Sequence, residues 1–124
     1  QLYVPARNTI LVGLAANRAF PHGTVYIGIH GSDAPYADAK RQFAESVNHT
    51  VSIGTYGGVK VEAPFVDLTK VDIIRLGAQL EVPFELTYSC YRGWDIHCGV
   101  CPTCRQRKEA FRLAGVEDPT MYDK

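Results

Sequence analysis

All four cysteines of this 124-residue chain fall within SCYRGWDIHCGVCPTC, residues 89–104. Cys98, Cys101 and Cys104 are spaced C-x2-C-x2-C, and Cys90 precedes them with seven residues intervening. An even count in a short chain admits two disulfides. Bridges gain most from closing long loops, however, and one between any two of the last three cysteines closes a very small one. A tetrahedral metal site asks for the opposite: two or three thiolates from one tight turn and a further one from a neighbouring segment. Gly99 and Pro102 supply turn chemistry between the ligands. Zn2+ is the usual occupant of four thiolates, with Zn–S near about 2.3 Å. The expected ligands are Cys90, Cys98, Cys101 and Cys104, with free core thiols as the alternative. His97, beside Cys98, is read as a neighbour of that shell, because four cysteines already close it. No coordination position is left for a substrate or an activated water, so the metal reads as structural.

The length suits one domain with a core, and 46% hydrophobic with 21% charged residues is the composition of a folded globular chain. No run approaches the roughly 18 apolar residues of a membrane span. Thirteen basic residues balance thirteen acidic ones, which gives no overall reason to expect nucleic acid or a polybasic membrane anchor. The opening QLYVPARN lacks the basic start and apolar stretch of a signal peptide. With Gln1 first and Met121 the only methionine, the expectation is that an N-terminal portion has been removed.

Helix and strand patterns alternate. Asn8 reads as an N-cap for a helix with Ile10, Leu11, Leu14 and Ala15 as its apolar stripe, fading near Phe20-Pro21. TVYIGIH (24–30) reads as a strand buried on both faces of a parallel sheet, and GVKVEAPF (58–65) as a second. Between them Ala39, Phe43, Ala44 and Val47 mark an amphipathic helix. Thr69 to Asp72 resembles a capping box before a helix with Ile73, Leu76, Gly77 and Leu80 on one side. Arg107, Ala110, Phe111 and Ala114 recur at helical spacing, and Gly115 is a natural C-cap. The fold class is therefore α/β with a parallel sheet. Two strands cover themselves poorly, so more of the sheet is expected in the missing N-terminal portion.

VPARNTI, GSDAPYADAKRQF, APFVDLTKVDIIRLG, TYSCYRG, HCGVCPTCRQRKEAF and AGVEDPTMY, in that order, resemble the C-terminal two-thirds of the 7-cyano-7-deazaguanine synthase (QueC) family of the queuosine pathway. The resemblance implies a partial adenine-nucleotide α-hydrolase-like, Rossmann-like parallel sheet of the ATP-pyrophosphatase kind over residues 1–87. It also implies a zinc-binding segment and C-terminal helix over 88–124, packed on the same domain. The implied activity is that of a C–N ligase: ATP-driven conversion of 7-carboxy-7-deazaguanine and ammonia to 7-cyano-7-deazaguanine. The route is carboxylate activation, amide formation and dehydration, with structural Zn2+, ATP with Mg2+ as co-substrate, a cytoplasmic location and a homodimer.

Several features depart from the family pattern. The S-G-G-x-D-S loop that holds ATP phosphates does not occur in the chain, so this chain alone is expected to be inactive. Ala6 stands where the family has glycine, Ala39 where it has cysteine, and Lys40 where it has arginine. A lysine keeps the charge and loses the bidentate fork, which bears on the identity of the acid substrate.

Each candidate site residue has a plainer role beside the implied one. Arg7 and Asn8 read as a surface arginine and an N-cap; the resemblance implies nucleotide or substrate contact. Asp33 and Asp38 read as loop and cap residues, and the resemblance places them at the deazaguanine pocket. Lys70 is by default a solvated charge, and by resemblance reaches ATP phosphate. Thr87 and Ser89 satisfy a strand end or offer hydroxyls to the pocket. No catalytic residue is assigned. Arg92, Arg105, Arg107, Lys108 and Arg112 gather around the cysteines, but Asp95 and Glu109 interrupt them and no aromatic interleaving suggests base stacking. Two rivals stand beside the main reading: a paralogous ATP-dependent ligase for another acid or acceptor, and a zinc-stabilised nucleic-acid-binding module.

Overall fold

Four helices and two short strands account for the regular structure of the computed structural model, which describes residues 4–32, 36–92 and 95–124. In chain order they are α1 (Arg7–Ala19), β1 (Gly23–Tyr26), α2 (Arg41–Gly54), β2 (Val59–Glu62), α3 (Lys70–Gln79) and α4 (Pro102–Ala114), with 3-10 turns at Ala37–Ala39 and Phe84–Leu86. The chain forms two compact units, Gln1–Thr69 and Lys70–Lys124.

In the first unit β1 and β2 pair in parallel, Gly23 opposite Val59 and Tyr26 opposite Glu62. Parallel strands need a crossover, and α2 supplies it. Period-two alternation sends Val59 and Val61 inward and leaves Lys60 and Glu62 exposed. Val12 and Ala16 of α1 and Val47 and Val51 of α2 close over these valines as one core cluster. A second cluster joins Ile29, Ala39 and Ala44.

Two expectations for this unit are corrected. Ile10, Leu11 and Leu14 are exposed at 61%, 56% and 66%, while Val12 and Ala16, one helical turn apart, face the core. A two-stranded sheet offers α1 a narrow face that takes one i, i+4 pair. Ala6, at φ 54°, precedes the helix, so Asn8 lies inside the first turn and is not its N-cap. The first strand also ends at Tyr26, with Thr24 and Tyr26 exposed. It pairs with β2 alone among the described residues, and the face that carries Thr24 and Tyr26 is uncovered, so burial on both faces is not reached.

In the second unit Ile74, Ala110 and Phe111 form the core, with Val71 and Phe84 packed against them. Phe84 meets Phe111 edge-on at 5.0 Å between ring centres. These contacts join α3 and α4 in one unit: α3 shares its apolar face with α4. The inward residues of α3 are Ile74 and Gly77, whereas Leu80, expected on that face, lies past the helix end and is exposed. In α4 the expected Arg107, Ala110 and Phe111 are buried, Pro102 occupies the first turn, and Gly115 ends the helix at φ 70°. No helix among the described residues is long and apolar enough to cross a membrane.

Candidate functional site

The four cysteine sulfurs lie within 4.8 Å of one another. Two come from α4 and the residue before it: Cys101 directly precedes the helix and Cys104 sits in its first turn. Cys98 comes from the turn around Gly99, which has φ 73°, and Cys90 from the segment after the 3-10 turn. All four are free thiols. Around a zinc ion, bonds of about 2.3 Å place sulfurs about 3.8 Å apart, so the cluster needs only small shifts of its sulfurs to take a metal.

The surroundings suit thiolates. Backbone N–H groups of Arg92 and Cys98 donate to Cys90 Sγ, each at 3.3 Å, and that of Cys101 donates to Cys98 Sγ at 3.4 Å. Such donors stabilise anionic sulfur and orient it. Cys90, Cys101 and Cys104 are buried. Burial opposes ionisation of Cys101, but the Thr103 hydroxyl and nearby backbone donors outweigh it and pull the thiol well below its usual range. Cys104, buried at 3.4 Å from Cys101 Sγ, is pushed the other way.

His97 is not one of the four clustered ligand residues. It is buried, its Nε2 accepts the N–H of Ser89 at 3.1 Å, and its ring lies between those of Tyr88 and Tyr122. Burial, then the Arg107 charge, holds its pKa below the usual imidazole value.

A polar network that the sequence reading missed braces this region. Arg107 donates to Thr120 Oγ1 at 2.8 Å and to the Phe84 carbonyl at 3.1 Å, and its Nε lies 3.5 Å from Asp118 Oδ1. Tyr122 donates to Asp118 Oδ2 at 2.6 Å. Burial raises the Asp118 pKa, but Thr120, Tyr122 and Arg107 outweigh it and hold the carboxyl below the usual range. The one available signal was the D-P-T-x-Y motif, whose residues have no helical or strand period to betray their contacts.

Of the other candidates, the structure brings Asn8 and Asp38 together: the Asn8 N–H donates to Asp38 Oδ2 at 3.1 Å, and Asn8 Nδ2 donates to the Asp38 carbonyl at 2.7 Å. Arg7, next to Asn8 in sequence, is exposed. Asp33 lies outside the described residues. Within the second unit Lys70 opens α3 and reaches Gln106 Oε1 at 3.3 Å. Thr87 bonds the Phe84 carbonyl at 2.7 Å and, with His97 and Thr120, lines a cavity of about 500 Å3. Ser89 Oγ is buried without a hydrogen-bond partner among the described residues.

An α/β chain with a four-cysteine centre at the head of its last helix is the class that fold and site define. The family model described as "Queuosine biosynthesis protein QueC" matches residues 1–115, so the chain belongs to that family. It is 46% identical over 123 residues to a 7-cyano-7-deazaguanine synthase of Porphyromonas gingivalis, covering 97% of this chain and 56% of that protein. Relatives of the same name share 41% over 125 residues in Methanothermobacter thermautotrophicus, with 98% and 56% covered, and 40% over 126 in Caldicellulosiruptor bescii, with 99% and 57%. The chain spans a little over half the length of these curated relatives.

Proposed function

We propose that the chain is the C-terminal part of an enzyme that makes 7-cyano-7-deazaguanine from 7-carboxy-7-deazaguanine, ammonia and ATP, with Mg2+ accompanying the nucleotide. The observation that carries this reading is identity of 46% to a 7-cyano-7-deazaguanine synthase across 97% of the chain. In this reading the sheet of β1 and β2 is part of a larger Rossmann-like sheet. The protein works as a cytoplasmic homodimer.

Cys90, Cys98, Cys101 and Cys104 hold one Zn2+ in this account. With four thiolates it has no open position, so its contribution is to fix the fold of residues 90–104 and not to polarise substrate. Asn8 and Asp38, already bonded to each other, keep a polar edge beside Arg7 available for a purine-like base or a carboxylate. Asp33, Lys70, Thr87 and Ser89 are further candidates for substrate or phosphate contact. The unpartnered Ser89 hydroxyl supports its place in that set.

The test is to supply the complete protein with 7-carboxy-7-deazaguanine, ammonia and ATP. Release of AMP and pyrophosphate that depends on the acid, with the nitrile identified by mass, is expected. Turnover of a different carboxylate with no nitrile formed would assign the chain to a paralogous ligase instead.

A further inference from the structure

The segment after α4 lies against the cysteine cluster, although it contributes no thiol. Tyr122 packs on the cluster formed by Cys90, Cys101 and Cys104. Its backbone pairs with His97 in a parallel bridge, where the Asp123 N–H donates to the His97 carbonyl at 2.9 Å. That bridge ties the segment to the residue immediately before Cys98.

Two further contacts fix the ring, and others hold the chain end beside it. Asp118 accepts the Tyr122 hydroxyl and is itself held beside Arg107, whose side chain is only 11% exposed. Lys108 Nζ sits 4.2 Å from the centre of the Tyr122 ring and donates to the Lys124 carbonyl at 2.9 Å. At Gly99 a side chain would run into that same Lys124 carbonyl, so the ligand turn and the segment approach at backbone distance.

We propose that Tyr122, positioned by Asp118 and Arg107, is an outer wall of the metal centre that slows metal loss and shields the thiolates from solvent. Groups around a metal's ligands control solvent access and ligand orientation, and removing one typically lowers affinity roughly tenfold to hundredfold. Lys108 and Arg107 also place positive charge beside a centre that carries net negative charge once four thiolates bind a dication. This inference rests on the metal reading above, and its test separates the two.

The experiment measures Zn2+ affinity by competition with a chromophoric chelator, and Zn2+ release rate, for the parent protein, Tyr122→Phe and Tyr122→Ala. The expected result is a roughly tenfold to hundredfold weaker and faster-releasing site in Tyr122→Ala. Most of the loss should be restored in Tyr122→Phe, which keeps the ring. Co2+ substitution should give the same thiolate charge-transfer bands in all three, showing that the ligands themselves persist. Affinity and release rate of Tyr122→Ala within about twofold of the parent overturn the proposal. Should the parent bind no metal, the metal reading fails by itself. The wall is then judged by thiol alkylation of the metal-free protein: faster labelling of Cys101 and Cys104 in Tyr122→Ala supports it, and unchanged labelling overturns it.

Discussion

Tyr122 donates a 2.6 Å hydrogen bond to Asp118, four residues earlier, in a segment that is not helical. The spacing is closed by the turn at Asp118, whose Oδ1 accepts the Thr120 N–H at 3.1 Å, so the carboxylate organises both its own turn and the ring beyond it. Burial, then this hydrogen bond, pushes the Tyr122 pKa up to about 12.

The titration of Tyr122 follows from that bond. Its folded-state pKa lies above the ordinary value near 10, so its contribution to stability is fully present below pH 10 and is lost as pH rises toward 12. Ultraviolet difference titration of the parent against Tyr122→Phe should show one tyrosinate transition centred near 12. A transition at the value of a free tyrosine would show that the bond to Asp118 does not persist in solution.

Asn8→Ala removes the side-chain donor to the Asp38 carbonyl. A net loss of about 1 kcal/mol is expected from one part-buried hydrogen bond. Thermal unfolding of the first unit reads this directly, and an unchanged midpoint would leave Asn8 free for ligand contact alone.

Gly77→Ala places a methyl group on the face of α3 that meets Phe84, where an added Cβ lies 2.6 Å from the ring. Overpacking of this kind costs about 1–3 kcal/mol, more than the better helix propensity of alanine returns. Denaturant unfolding with zinc present should show the loss, and a stabilised variant would mean the ring moves aside freely.

Chelation of the metal should loosen residues 87–111 and leave the β1–β2 pairing in place, because the two units have separate cores. Hydrogen exchange read by mass spectrometry distinguishes this from loss of structure throughout the chain.

The cysteine centre was legible because C-x2-C-x2-C states a local geometry: one turn and the start of one helix deliver three sulfurs. The same holds for Arg107, Ala110 and Phe111 on α4, where helical period and burial agree. The face of α1 was not legible. Ile10, Leu11 and Leu14 form the stronger apolar stripe, yet Val12 and Ala16 face the core, because the partner surface and not hydrophobicity decides which side packs. The strand expected over 24–30 was legible in part: residues 23–26 pair in parallel with β2, but an apolar run reports what can be buried, and Thr24 and Tyr26 have nothing over their face. Asp118, Thr120 and Tyr122 were beyond reach, since their contacts with Arg107 and the cysteines follow a path with no repeat.

The most direct measurement is metal content with thiol state on the purified protein: elemental analysis beside intact mass after alkylation under native conditions. One zinc per chain, with Cys90, Cys98, Cys101 and Cys104 protected until the metal is removed, is the result this account requires. Absence of any metal together with disulfides among these four cysteines would contradict it.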